Sequence, residues 1–209
     1  MTGSEQEDRS RRTFIQDTRR AQLVRCATEV LAEVGYARAS LVRIARRAGV
    51  SRGVITYHFA DRDELIDAVV AEVYAAGFAV LRPKIDAEPT AAGAVRAFIV
   101  GSADFYRTHP THIAALHEII TNARADDGTP RHAGQGRAEE QELSDIGALL
   151  ARGQRDGEFR DFSPRVMART IRHALNGLLQ EMRTTPDLDP AADAEELADL
   201  FDRATRKAG

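Results

Sequence analysis

Cysteine and long apolar runs are both scarce in this sequence of 209 residues, which has one cysteine and no stretch apolar enough to span a membrane. The lone Cys26 excludes an internal disulfide. Because it falls on the apolar side of a predicted helix, we expect an inert core residue rather than a redox sensor. No signal peptide is recognisable. The 43% hydrophobic content excludes a chain that is disordered throughout. We therefore expect a globular, cytoplasmic protein that does not associate with membranes.

Alternation of apolar and polar residues, the pattern typical of β-strands, is also missing. Apolar residues recur at helical spacing instead, and the breaks between helices fall at Gly35, Pro83 and Gly157. Ser163-Pro164 and Asp189-Pro190 have the composition of helix starts. The fold class is therefore predicted to be all-α, with helices over residues 17–34, 61–81, 91–107, 112–125, 139–155, 164–184 and 190–204.

Residues 40–59, SLVRIARRAGVSRGVITYHF, predict two helices joined by a tight turn. Gly49 stands where the chain must turn sharply, a position that favours a positive φ angle. Ser40 and Ser51 are placed to cap the two helices, because their side-chain oxygens can accept hydrogen bonds from unpaired backbone N–H groups. The second helix carries polar side chains and little apolar bulk, which suits a helix that enters the major groove of DNA. An ordinary helical hairpin inside an all-α domain is the alternative interpretation.

The distribution of charge agrees with DNA binding at this end of the chain. Residues 1–60 contain 11 Lys and Arg against 6 Asp and Glu, whereas the remainder contains 18 against 26. The whole chain has a formal net charge of −3, so the basic excess is confined to the segment that would neutralise phosphates. Five arginines near the N-terminus are candidates for a flexible arm that reaches the DNA backbone or minor groove: Arg9, Arg11, Arg12, Arg19 and Arg20.

The run from Ala27 to Leu65 resembles the N-terminal domain of the TetR family of repressors. The similar motifs cover about a quarter of the chain and are Gly35-Tyr36, Ile44-Ala45, Gly49-Val50-Ser51, Gly53, Tyr57-His58-Phe59 and Leu65. Thr56 departs from the pattern, since many members carry Tyr there, and this leaves the base preference open. Ala60 stands where the family often has Pro.

The resemblance implies an N-terminal three-helix DNA-binding domain with a helix-turn-helix over residues 1–60, of which about the first 12 are flexible. It also implies a C-terminal helical domain for ligand binding and dimerisation over residues 61–209. Phosphate contacts are implied for Ser40, Tyr57, His58 and Arg62. Positions near base edges are implied for Arg52, Gly53, Val54 and Thr56, and Arg43 and Ser51 complete the expected DNA-binding set. Arg can bridge two acceptors of guanine and the Thr methyl can meet a thymine methyl, while Tyr and His donors suit phosphate oxygens. A half-buried packing role for Tyr57 stays an alternative.

In the family the last two helices of each subunit pair into a four-helix dimer interface. The residues expected there are Ile171, Ala174, Leu175, Leu178, Leu200 and Phe201, and the alternative is that these helices only close the core of the monomer. The resemblance also implies an apolar pocket with a few polar anchors in the second domain. Its candidate residues are Phe78, Phe98, Phe105, Tyr106, His117 and Asn122, although each aromatic could equally be a core residue.

We expect no cofactor and no metal. His109, His112 and His117 have plausible spacing for metal ligands, but only Glu118 is near enough in sequence to complete a set. The leading hypothesis is a ligand-responsive repressor that binds a palindromic operator in double-stranded DNA as a homodimer and is released by a small-molecule effector. The alternatives are a regulator controlled by a partner protein and an all-α enzyme. The enzyme is disfavoured because no triad order, metal signature or phosphate-binding glycine loop stands out.

Overall fold

A computed structural model describes residues 3–125, 127–131, 137–185 and 187–207, with side chains described from Phe14 onward. Within these residues the chain is all-α, as predicted, and contains no β-strand. The described residues form nine α-helices, which are α1 (Gly3–Val34), α2 (Leu41–Ala48), α3 (Arg52–His58), α4 (Arg62–Asp86), α5 (Ala91–Thr108), α6 (Pro110–Asn122), α7 (Arg137–Arg155), α8 (Pro164–Thr184) and α9 (Pro190–Thr205). None of the helices in the described part is long and apolar enough to cross a membrane.

Capping residues place the helix ends close to the predicted positions. Asp189 accepts hydrogen bonds from the N–H groups of Ala191 and Ala192, and Ser163 accepts one from Val166. Gly35 follows the last residue of α1 with a φ angle of 80°, which confirms the predicted stop. Local sequence therefore determines where most of these helices begin and end.

Two helix bounds differ from the prediction. The helix α1 begins at Gly3 rather than near Asp17, because no Gly or Pro interrupts the chain between Ser4 and Val34. Pro83 lies inside α4, which continues to Asp86. Proline has no backbone N–H, so Pro83 removes one hydrogen bond, and it does so in the last turn of the helix. Leu81, two residues earlier, is buried and helps to hold this end of α4 in place.

The chain separates into two compact units that are discontinuous in sequence. The first unit comprises Met1–Val73 and Thr111–Ala133, and the second comprises Tyr74–Pro110 and Gly134–Gly209. The sequence predicted a single boundary after residue 60 instead. By this division the first boundary falls inside α4, between Val73 and Tyr74, and most of α6 groups with the N-terminal helices.

Each unit has its own apolar core. In the first unit Leu23, Leu31, Ile44, Ile55 and Phe59 are almost completely buried. They come from α1, α2, α3 and the residue after α3, so α2 and α3 are held in place by packing on α1.

The second unit is built from the second half of α4 together with α5, α7, α8 and α9. Its tightest point is Gly153 on α7, where an added Cβ would lie 2.3 Å from the Phe159 ring and 2.8 Å from the Ala91 Cβ. Only glycine allows so close an approach, so this position fixes how α7 packs on the start of α5.

Candidate functional site

The turn between α2 and α3 depends on Gly49. Its φ and ψ angles of 67° and 31° are left-handed, a conformation that other residues adopt at a cost. The N–H of Val50 donates to the carbonyl of Ala45, and the N–H of Gly49 donates to that of Arg46. These two bonds form the Schellman motif, which ends α2 and directs the chain into α3. The predicted helix, tight turn and second helix are confirmed by this geometry.

The outward face of α3 carries the side chains expected near DNA bases. Arg52, Gly53 and Thr56 are exposed, while Ile55 is fully buried beneath them. The Thr56 hydroxyl donates to the Gly53 carbonyl at 3.2 Å, which leaves its methyl group and an oxygen lone pair for an outside partner. Val54 is half-buried at the edge of this face.

The end of α3 presents polar groups of another kind. Tyr57 is 71% exposed, which excludes the packing role considered for it. Its hydroxyl accepts a hydrogen bond from the Gln16 side chain of α1 at 3.0 Å, and its ring meets that of His58 edge-on. Both side chains are held at the surface in fixed directions, as donors to phosphate oxygens need to be.

The start of each short helix contributes a hydroxyl. Ser40 caps α2 by accepting a hydrogen bond from the N–H of Arg43, which confirms its predicted role. Ser51 occupies the N-cap position of α3, but its side chain makes no capping hydrogen bond. Its exposed hydroxyl and the exposed Arg43 side chain both remain at the surface of the motif.

Arg62 has a structural role that the sequence did not indicate. Its Nε donates to the Ala39 carbonyl at 3.1 Å, its Nη2 donates to the Tyr36 carbonyl at 2.6 Å, and its guanidinium lies over the Tyr36 ring. The half-buried side chain thus attaches the start of α4 to the turn after α1. Three of its five N–H groups, two on Nη1 and one on Nη2, are not used in these two bonds and could make the expected phosphate contact.

Other arginines of the first unit divide into bound and exposed groups. Arg47 pairs with Glu29 and Glu33 of α1, and the hydrogen bond from Arg47 lowers the pKa of the Glu33 carboxyl. Arg19 and Arg20 are exposed on α1, and Arg20 stacks on the Phe59 ring. The side chains of Arg9, Arg11 and Arg12, expected to form an arm, lie outside the described residues.

A contact within the first unit links α6 to the turn after α1. The Glu118 carboxylate accepts the Tyr36 N–H at 2.9 Å and the Asn122 side-chain amide at 3.2 Å. In the same unit Arg131 pairs with Asp63 and with Asp67 of α4. The sequence gave no signal for these contacts, because their partners lie more than sixty residues apart.

The six residues expected around a ligand do not share one unit. Phe98, Phe105 and Tyr106 are buried in the second unit. Phe105 stacks on His109 and packs against Gly77 of α4, so it acts as a core residue there. Phe78 is half exposed on α4.

The other two expected ligand residues, His117 and Asn122, belong to the first unit, on α6. Asn122 holds Glu118 in place. This pair therefore belongs to the first unit and not to the second as expected, and its contact with a ligand stays a prediction.

A buried polar cluster in the second unit was not picked out from the sequence. Arg172 of α8 is 8% exposed and reaches the hydroxyls of Tyr74 and Tyr106 and the carboxylate of Glu142. The signal in the sequence was an arginine within the apolar stripe of α8, beside Ile171. Of the four residues, only Tyr106 was among the expected ligand contacts.

The expected dimer residues are mostly internal to the protomer. Ile171, Leu175, Leu178 and Phe201 are all less than 9% exposed in the single chain, so they have almost no surface left to offer a second copy. The broad apolar arc predicted for α8 therefore includes the face that packs inside its own unit. Of the expected set, only Leu200, which is 50% exposed, and the half-buried Ala174 retain surface.

The histidines considered as metal ligands have other neighbours. His109 stacks on Phe105 and contacts the Thr108 hydroxyl, and His117 contacts the Thr121 hydroxyl. No group of three potential metal-binding side chains was found among the described residues. Cys26 is buried, and this burial raises the pKa of its thiol, which lowers its reactivity.

An exposed polar helix that follows a Schellman turn, within a basic segment over residues 1–60, defines a helix-turn-helix DNA-binding protein. Comparison with known proteins identifies the class further. Residues 23–69 match the family model described as "Bacterial regulatory proteins, tetR family". The chain is 30% identical over 170 residues to the HTH-type transcriptional regulator BetI of Cronobacter sakazakii, a match that covers 79% of this chain and 77% of that protein. The chain belongs to the TetR family of DNA-binding transcriptional regulators, a family without enzymatic activity.

Other similarities cover different shares of the chain. The HTH-type transcriptional regulator BetI of Proteus mirabilis is 39% identical over 101 residues, which are 46% of this chain and 50% of that protein. This match therefore spans about half of the relative's length. A solved structure of the fatty acid degradation regulator FadR from Bacillus halodurans has a TM-score of 0.76 at 16% identity, and the match covers 87% of this chain and 97% of that chain. Its likeness establishes the fold alone.

Proposed function

We propose that this protein is a ligand-responsive repressor that binds a palindromic operator as a homodimer and leaves it when a small organic effector binds. In this proposal the first unit binds DNA, while the second holds the effector and contributes the dimer surface. The observation that carries the proposal is the exposed face of α3, where Arg52, Thr56 and Tyr57 point away from a buried Ile55.

The contacts of α3 with DNA divide by chemistry. Arg52 is suited to bidentate hydrogen bonds with guanine, and the Thr56 methyl is suited to a thymine methyl. Exposed Gly53 lets the backbone approach the groove closely. Tyr57 and His58, with Ser40, provide phosphate donors that position the helix without reading sequence.

Dimerisation would place two copies of α3 on one face of the DNA. A twofold dimer generates a palindromic site whose half-sites are about one helical turn apart, or a multiple of it. The available surface on α8 and α9 includes Val166, Gly177 and Leu200, which are exposed, and the half-buried Ala174. Small residues such as Gly177 allow two helices to cross at close range.

Release requires that the effector favour a conformation that does not fit the operator. A ligand with equal affinity for both conformations shifts nothing, and nearly complete release needs a preference of roughly 5 kcal/mol. Helix α4 is the natural lever, since its first half belongs to the first unit and its second half to the second. Inside the first unit, the bond between Glu118 and the Tyr36 N–H would pass a shift of α6 to the turn before α2.

Selection from random DNA tests the proposal directly. The purified protein is expected to enrich a near-palindromic site, and its affinity for that site should fall steeply as salt rises, because phosphate contacts release counterions. Arg52→Ala and Thr56→Ala should each weaken binding. The matched control is Arg155→Ala, which removes an exposed arginine from the second unit. Unchanged affinity in both recognition-helix variants would contradict the assignment of α3.

A further inference from the structure

Arg172 is a charged side chain held where four helices of the second unit meet. Its Nη1 donates to the Tyr106 hydroxyl of α5 at 3.3 Å and to Glu142 Oε1 of α7 at 3.4 Å. Its Nη2 donates to the Tyr74 hydroxyl of α4 at 3.2 Å, and its guanidinium lies 5.5 Å from the centre of that ring. All three hydrogen bonds are longer than the usual length of bonds that involve charged groups, which is about 2.7–2.9 Å.

The cluster leaves polar atoms without a well-formed hydrogen bond. Arg172 Nε and Glu142 Oε2 lie 3.2 Å apart as an ion pair, yet each is buried and has no hydrogen-bond partner of acceptable geometry. Each tyrosine hydroxyl accepts from Arg172 and carries a proton of its own. Buried polar atoms are normally satisfied, and the exceptions call for an explanation.

The donors around this point outnumber the acceptors. The guanidinium offers five N–H groups and the two hydroxyls offer two more, whereas Glu142 is the carboxylate that these hydrogen bonds reach. Burial raises the pKa of Glu142, and Glu139 and Asp145 are close enough to raise it further. Its charged form is therefore retained chiefly by Arg172. Once Glu142 has left, a positively charged ligand would have to lie beside a buried and unpaired guanidinium, which repels it. A planar carboxylate, in contrast, matches the guanidinium in shape and charge.

The Glu142 side chain is placed where it can move out of the cluster into solvent. It is 22% exposed, compared with 9% for the Arg172 side chain, so it lies at the solvent edge of the cluster. A rotation about its flexible side chain would return the carboxylate to water and restore its hydration, while Arg172 would stay between the helices. The place that Glu142 takes on Arg172 would then be open to another carboxylate.

We propose that Arg172, Tyr74 and Tyr106 form the anchor for the carboxylate of a small organic acid, and that Glu142 competes with this acid for Arg172. The inference rests on the proposed function, since it names the chemical class of the effector. Exchange of one carboxylate for another keeps the buried charge balanced. It also frees α7, which carries Glu142, from α8, which carries Arg172.

Calorimetry on the full-length protein with matched probes tests the anchor. The acids are hexanoate, octanoate, benzoate and phenylacetate, each compared with the alcohol and the ammonium compound of the same skeleton. At least one acid should bind, while its alcohol and ammonium counterparts bind at least about tenfold more weakly, as expected for loss of a charged hydrogen bond. A panel in which no acid binds better than its uncharged counterpart would overturn the proposal.

Four conservative variants separate anchoring from folding. Tyr74→Phe and Tyr106→Phe each remove one hydroxyl and should weaken the acid about tenfold, whereas Glu142→Gln should strengthen it because the competing charge is gone. A purely structural cluster would instead give equal binding in these three variants. Arg172→Lys keeps the charge but loses the bidentate geometry, so it should weaken acid binding more than alcohol binding. Urea unfolding of each variant shows that the fold is retained.

The same acid added to the protein–operator complex separates this inference from the proposed function. Release of DNA by an acid that the Tyr106→Phe variant binds more weakly supports both. Binding without release keeps the anchor and overturns control by this ligand. If the acid releases DNA from the Tyr106→Phe and Arg172→Lys variants as readily as from the unaltered protein, the anchor is overturned and the repressor proposal stands.

Discussion

Arg52 of the first unit lies in solvent on a helix of seven residues, whereas Arg172 of the second unit is buried between four helices. The first arginine is exposed, so its N–H groups can bind a partner outside the chain. The second donates hydrogen bonds to Tyr74, Tyr106 and Glu142 within its own unit. We therefore expect replacement of the surface arginine to change the free energy of unfolding little, and replacement of the buried one to disturb the three side chains that it binds.

The largest expected effect comes from removing the partner of the buried charge. Glu142→Leu removes the carboxylate and leaves the Arg172 guanidinium buried without its partner, and it should lower the free energy of unfolding by about 3–5 kcal/mol. Urea titration followed by circular dichroism measures this change. The double variant Arg172→Met with Glu142→Leu is the control, since removal of both charges should restore most of the loss. A double variant as unstable as the single one would mean that packing, not charge, dominates at this position.

The second effect concerns DNA and should leave stability unchanged. Arg52→Ala should weaken specific operator binding by about 1–3 kcal/mol, the usual worth of a bidentate base contact. Fluorescence anisotropy with labelled operator measures the affinity, and the same urea titration should show a change within about 0.5 kcal/mol. A large loss of stability would show that Arg52 supports the fold and would remove the contrast with Arg172.

The two units also use glycine differently, which gives the third prediction. An added Cβ at Gly49 meets nothing within 4 Å, so Gly49→Ala should cost only the left-handed backbone strain, about 1–2 kcal/mol. At Gly153 the same change places a methyl group against Phe159 and Ala91, and steric overlap should make it the more harmful variant. Thermal unfolding of both variants ranks them, and the reverse order would contradict this interpretation.

A smaller effect is expected at the start of α9. Asp189 caps two backbone N–H groups there, and Asp189→Ala should lower the free energy of unfolding by about 1 kcal/mol. Asp189→Asn is the matched control, because Asn caps helices about as well as Asp. If Ala and Asn behave alike, the cap contributes nothing measurable.

The smallest effect is a dependence on pH. Hydrogen bonds from Arg107 and Lys84 lower the pKa of Asp104 below its ordinary value. The stabilisation is therefore present above an ordinary aspartate pKa of about 3.9 and is lost as the pH falls through the lowered value. Asp104→Asn should remove this small loss of stability at acid pH and should slightly lower the free energy of unfolding at neutral pH. An identical pH profile in both proteins would show that these exposed ion pairs are fully screened.

The sequence predicts what is local and misses what is distant. Gly35, Gly49, Ser163 and Asp189 sit at helix ends that follow from their own chemistry, and the recognition helix follows from the turn before it. The pairing of Glu118 with Tyr36 could not be foreseen, because helical periodicity shows that a face is apolar but not which helix covers it.

The same reason explains why the expected ligand and dimer residues lie elsewhere than predicted. His117 and Asn122 were expected to be polar anchors of a pocket in the second domain, although α6 groups with the first unit. Leu175 and Leu178 were assigned to an interface because they lie on an apolar stripe, and this stripe is covered by the protomer itself. A stripe of that kind looks the same in a core and in an interface.

The discontinuity of the first unit has a consequence for the order in which the protein is made. The recognition helix leaves the ribosome well before residues 111–133, which complete its unit. Until those residues appear, the Tyr36 N–H has no Glu118 and Asp63 has no Arg131. Domains generally fold as units from the N-terminus, but this unit is complete only after more than half of the chain has been made. A nascent chain that stops before α6 therefore displays the DNA-reading helix on an unfinished support.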